Sequence, residues 1–103
     1  MGAFLLVPLL CAAELQVRNL TGVVTDKAEN ALPGAVVQIK DTVTLRVRSY
    51  ITDKNGNYYF GRLNPEIDYT VRANYHGHWS KPKTLSRFDS SPHPQVDLVI
   101  PID

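Results

Sequence analysis

The stretch Thr52-Asp53-Lys54-Asn55-Gly56-Asn57-Tyr58-Tyr59-Phe60 restricts the fold of this chain more than any other. The Asp53 carboxylate can accept hydrogen bonds from backbone N–H groups just ahead of it, and Gly56 tolerates a positive φ. Together they reverse the chain between two strands. An aromatic alternation begins directly behind the turn. Tyr58 and Phe60 fall on one face of the outgoing strand and Tyr59 on the other. The stretch carries architecture and no reaction: its Asp and Gly serve a turn, its Tyr and Phe a core.

From Glu14 onward the apolar period is two nearly everywhere, and no stretch sustains a helical period. A first strand is expected over 15–26, with Leu20, Gly22 and Val24 on one face. Leu32-Pro33-Gly34 is a turn signal, and 35–40 a second strand with Ala35, Val37 and Ile39 inward. A third strand spans 43–52, where Leu45, Val47, Ser49 and Ile51 alternate with Thr44, Arg46, Arg48 and Tyr50, and Tyr50 is expected to face outward with Tyr59. The fourth runs 58–62, and the fifth 68–75 with Tyr69, Val71 and Ala73 on one face. The sixth covers 79–88, with Pro82 confining part of it to an edge. The closing strand is 95–100. Seven short strands between turn signals, with no helix among them, predict an all-β, seven-stranded antiparallel β-sandwich of Greek-key type. Its core is expected to hold Leu20, Val24, Ala35, Val37, Ile39, Tyr58, Phe60, Leu63, Tyr69, Val71, Ala73, Val96, Leu98 and Ile100.

With 103 residues there is room for one domain. A net charge of +1 and scattered basic residues leave no electrostatic footprint for nucleic acid. The basic side chains, Arg18 and Arg48 among them, read as solvated strand faces. Residues 1–13 are apolar, too short to span a bilayer, and match the hydrophobic region of a signal peptide or an N-terminal apolar segment, with cleavage before Glu14. The domain proper is then 14–103, in an exported protein of the periplasm, outer envelope or extracellular space. Cys11 is the only cysteine, so after cleavage no thiol chemistry is left. Asn19-Leu20-Thr21 has the spacing of a glycosylation sequon.

The order Thr21-Gly22-Val23-Val24-Thr25-Asp26, Leu32-Pro33-Gly34-Ala35-Val36-Val37, Thr52 to Phe60, Leu63-Asn64-Pro65 and Tyr69-Thr70-Val71 resembles the carboxypeptidase regulatory-like domain, a transthyretin-like sandwich. The resemblance implies packing roles for these residues and no catalytic ones. It also implies an accessory module of the kind found beside peptidases, outer-membrane receptors and surface proteins.

Few residues outside this pattern invite chemistry. On a strand, His76 and His78 would point the same way and could chelate a metal, with His93 as a third ligand, although the plainer reading leaves them solvated beside a hairpin glycine. Related sandwiches include intradiol dioxygenases, expected to be much larger chains. Asp53 to Asn57 lacks the glycine position and terminal acid of an EF-hand loop. Ser80, Ser86, Ser90 and Ser91 stand in no nucleophile context. Tyr75, His78 and Trp79, with Tyr50, form the candidate ligand-binding set, since aromatic platforms can stack on sugar rings or partner side chains. The plainer reading of Trp79 is that it caps the core. The expectation is a non-catalytic, exported structural or protein-interaction module of a bacterial envelope, its partner unidentified, with strand edges (notably the sixth) available for pairing. The alternative is a carbohydrate-binding module. No cofactor, metal, nucleic-acid partner or membrane span is expected.

Overall fold

A computed structural model describes residues 17–103. The apolar segment 1–13, its cleavage point and Cys11 lie outside the described residues. Eight strands follow in chain order: β1 Arg18–Thr25, β2 Val36–Asp41, β3 Val47–Ile51, β4 Asn57–Leu63, β5 Tyr69–Tyr75, β6 His78–Trp79, β7 Lys83–Leu85 and β8 Leu98–Val99. One sheet has the order β4-β1-β8; the other runs β3-β2-β5-β6, with β7 also on β5. The two close face to face as a transthyretin-like sandwich.

Alternation puts the expected residues inside. Leu20, Val24, Ala35, Val37, Ile39, Tyr58, Phe60, Leu63, Tyr69, Val71, Ala73, Leu98 and Ile100 are buried, joined by Leu32 and Leu85, while Val96 packs partly buried at the margin. Gly22 shows why one position must lack a side chain. A Cβ there would run into the Val96 carbonyl and the Tyr58 ring, and Tyr58 reaches past it to donate its hydroxyl to Val96 O at 2.5 Å. Burial raises the pKa of that hydroxyl.

The opening turn is built as its residues require. Asp53 Oδ1 accepts from the N–H groups of Asn55 and Asn57, both at 2.9 Å, and Gly56 sits at φ 76°. Asp26 and Asp41 organise their loops in the same way, the first through Ala28 and Asn30, the second through Val43 and Thr44.

Three features differ from expectation. The sixth strand is two short pieces, β6 and β7, because Lys81-Pro82 cannot continue the ladder. Where pairing breaks, the Ser80 hydroxyl receives the Ala73 N–H at 2.8 Å. The closing strand runs parallel to β1, pairing Val24 with Leu98 and Thr25 with Val99. The connection after β7 carries the chain to the other sheet, and periodicity does not encode that direction. Arg18, expected in solvent, is 3% exposed. Its guanidinium donates to the carbonyls of Ser86, Asp89 and Ile67, tying two loops, β4–β5 and β7–β8, to the start of β1.

Candidate interaction site

The β5–β6 hairpin holds three of the four candidate aromatic and imidazole residues. His76 and Gly77 both have positive φ, 51° and 86°, so the turn is of type I′, which matches the twist of its strands. Asn74 Oδ1 accepts the Gly77 N–H at 3.2 Å. This geometry removes the chelate that the spacing allowed and matches the plainer reading of exposed histidines beside a hairpin glycine. His76 is a turn residue rather than a strand residue, and its ring stacks on Tyr75 at 4.0 Å. His78 pairs with Tyr75 across the hairpin. His93 lines a hollow with Pro65 and Glu66, at the other end of β5, about 20 Å away at roughly 3.3 Å per residue. Among the described residues no three His, Cys, Asp or Glu side chains are grouped so as to hold a metal ion.

Trp79 does not cap the core; it is 41% exposed. The Arg72 guanidinium lies 3.8 Å from its ring centroid, and Arg72 also reaches Gln38 at 3.4 Å. Trp79 borders a hollow of about 290 Å³ with Lys27, Lys81, Lys83, Val99 and Pro101. Lys83 Nζ donates to the Asp97 carbonyl at 2.6 Å.

Tyr50 belongs elsewhere. It lies on the opposite edge of the sheet, three strands from Trp79, or about 14 Å at the usual strand spacing. Its side chain lies on the core side of the sheet, where an outward face was expected, yet at the sheet margin it stays 38% exposed. Tyr50 pairs with Val37, whose side chain is core, and packs edge-on against Phe60 with centroids 6.1 Å apart. Arg48, on the same face, sits over Phe60 and donates to Gly61 O at 3.0 Å. It stays exposed, as a strand-face cation, but its head group is held to the sheet margin by these two contacts. The candidate set splits into an aromatic–lysine hollow around Trp79 and an aromatic edge around Tyr50.

The same register sends the other half of β3 outward. All five β3 residues are exposed. Val47 and Ile51 are exposed apolar residues, and so are Val43 and Leu45 leading in. The alternation was visible in sequence; which half faced the core depended on pairing with β2.

The sequence pattern of the carboxypeptidase regulatory-like domain matches residues 19–99, most of the chain. The chain belongs to that family. The matched range takes in the packing positions described above, and the family is one of regulatory-like, non-catalytic domains. No curated protein matches the chain. Among solved structures, the carboxypeptidase regulatory-like domain is similar to BcpA, the major pilin subunit of Bacillus cereus, with TM-score 0.63 and 15% identity over 84% of this chain and 30% of that one. It spans under a third of that pilin. The dioxygenase domain of a dioxygenase and carbohydrate-binding protein fusion from Streptomyces sp. SirexAA-E gives TM-score 0.63 and 14% identity, covering 92% of this chain and 86% of that one. Chain size therefore does not separate this domain from every dioxygenase domain. The C-terminal domain of shaft pilin SpaA from Lactobacillus rhamnosus GG gives TM-score 0.55 and 12% identity, over 82% and 98%. At such identities the likeness shows the fold.

Asn19 was read as a sequon residue, and the fold uses it otherwise. Its Oδ1 accepts the Arg62 N–H at 3.2 Å and the Tyr59 hydroxyl at 3.3 Å, at the irregularity where β1 and β4 change register. Thr52 and Ser80 were missed as structural residues. Both are buried hydroxyls bonded to backbone groups. Thr52 stood in the quoted motif, but nothing in its spacing marked the bond. Among the described residues no helix is long and apolar enough to cross a membrane.

Proposed function

We propose that the chain is a structural and protein-interaction module exported to a bacterial cell envelope. The observation that carries this is the location of its exposed apolar side chains. Val43, Leu45, Val47 and Ile51 cluster on β3 and its lead-in, beside a strand edge that is unpaired among the described residues, the setting in which an extended partner adds to a sheet. The fold shared with pilin subunits supports the reading, as does the apolar, uncharged segment 1–13. A photo-crosslinking residue at Ile51, in cells, is expected to give a discrete adduct with an envelope protein or a second copy, while one at Glu29 gives none. Absence of any Ile51 adduct refutes the reading. Fractionation is expected to find the processed chain, beginning at Glu14, outside the cytoplasm; unprocessed protein confined there removes the export part.

A second reading is favoured by one feature, the half-exposed Trp79 beside Lys27, Lys81 and Lys83. An indole flanked by ammonium groups suits an acidic sugar better than a neutral one, because the cations would pair with its carboxylate. A glycan array that includes uronic acids tests this. Binding lost in Trp79→Ala supports it, and an array without binders ends it. Tyr75, His78 and Tyr50 would contribute little to such a site.

A further inference from the structure

The β3 edge is complementary to a copy of itself. Narrow hydrogen-bonded pairs in the β2–β3 ladder include Ala35 with Thr52 and Asp41 with Arg46, seen in the bonds from Thr52 N to Ala35 O and from Asp41 N to Arg46 O. Alternation then turns the backbone groups of Arg48 and Tyr50 toward β2, and those of Val47, Ser49 and Ile51 toward the open edge. The other edges are defended. β6 and β7 are two and three residues long, separated by Pro82. β8 has two residues, and β4 carries Arg62 at φ 60° where its register breaks. β3 has no proline and no irregularity.

We propose that a second copy of this chain adds its β3 antiparallel to the first, centred on Ser49, joining the two larger sheets into one. In this register Val47 lies opposite the second copy's Ile51 on the outer face, and Arg48 opposite its Tyr50 on the inner face, an apolar pair and a cation–π pair. Arg46 meets Thr52. The outward N–H and C=O groups of Val47, Ser49 and Ile51 form about six inter-chain bonds. The neighbouring two-fold registers are disfavoured by charge. Centring on Arg48 sets the two Arg48 side chains against each other, and centring on Tyr50 sets Arg46 against Lys54; one step further, centring on Val47 sets Arg46 against Arg48 and centring on Ile51 sets Arg48 against Lys54. Arg48 points inward, a common device against edge pairing. Here its guanidinium is already held by Gly61 O and the Phe60 ring, so it leaves the edge open. Joining through one short strand falls near or below the roughly 1,200 Å² of a stable interface, so the dimer is weak and reversible.

This rests on reading the domain as an interaction module, and the experiment separates the two. Sedimentation of the full chain across a concentration series, up to about 1 mM to cover millimolar affinity, is expected to show monomer and dimer. Ser49→Pro removes only an outward N–H and is expected to be folded by circular dichroism and monomeric. Ser49→Lys and Ser49→Glu, which place like charges on the two-fold axis, are each expected to be monomeric, and their equimolar mixture to dimerise. A monomeric wild type, a dimer unchanged in Ser49→Pro, growth beyond a dimer, or no rescue in the mixture overturns the proposal. In-cell crosslinking from Ile51 to a different envelope protein would then leave the interaction-module reading standing.

Discussion

Thr52 offers the sharpest test of how this sandwich is joined. Its side chain is buried where β3 meets the Asp53 turn. The hydroxyl accepts the Ala35 N–H at 2.9 Å and donates to Leu32 O at 2.6 Å. One oxygen thus satisfies two backbone groups of the segment leading into β2. Thr52→Val keeps the shape and leaves both groups without a partner in a buried place. At about 1–2 kcal/mol for each orphaned group, the lower part of the usual range, the loss is about 2–4 kcal/mol, a large part of the ~5–15 kcal/mol that holds a domain together. Thr52→Ser keeps the hydroxyl and loses one methyl, about 1 kcal/mol. In urea, with a slope of about 1 kcal/mol per molar, the midpoint is expected to fall by about 2–4 M for Val and about 1 M for Ser, with the slope unchanged. Faster hydrogen exchange at the Ala35 amide is expected for Val alone. A Val variant as stable as wild type, or a Ser variant as damaged as Val, would refute the reasoning.

Two glycines are expected to fail for different reasons. Gly22→Ala drives a methyl into a backbone carbonyl and the Tyr58 ring, costing about 3 kcal/mol or preventing folding. Gly77→Ala meets nothing within 4 Å and pays only for its φ of 86°, about 1–2 kcal/mol; thermal unfolding of the pair separates them. Acid sensitivity is expected from the Asp turns. Backbone N–H groups, chiefly those of Asn30, Thr44 and Asn57, hold Asp26, Asp41 and Asp53 below the ordinary value of 3.8. The stability these charges contribute is present above that value and is lost as the pH falls through the lower folded values. Asp53→Asn keeps an acceptor without a titrating charge and is expected to flatten the pH profile of the urea midpoint below pH 4; an unchanged profile contradicts the assignment.

Local chemistry was legible along the chain. The Asp53 and Gly56 turn, the Tyr58 and Phe60 face, the close approach at Gly22 and nearly the whole core follow from side-chain type and a period of two, which each strand carries within itself. Other features depend on which strand lies alongside which, and no single strand encodes that. Arg18 is buried because two loops distant in sequence converge on it. Tyr50 turns inward because β2 opposes it with Val37, and β8 runs parallel because of the path its connection takes between sheets. His76 lost its place in a chelate to a backbone turn, and Tyr50 and Trp79 share an alternating pattern but not an edge. The sequence by itself determined a regulatory-like sandwich with an aromatic core, because burial follows alternation. Only the tertiary structure decided that β3 is an open edge among the described residues, because exposure there is set by the absence of a neighbouring strand among them, a property of the assembled sheet.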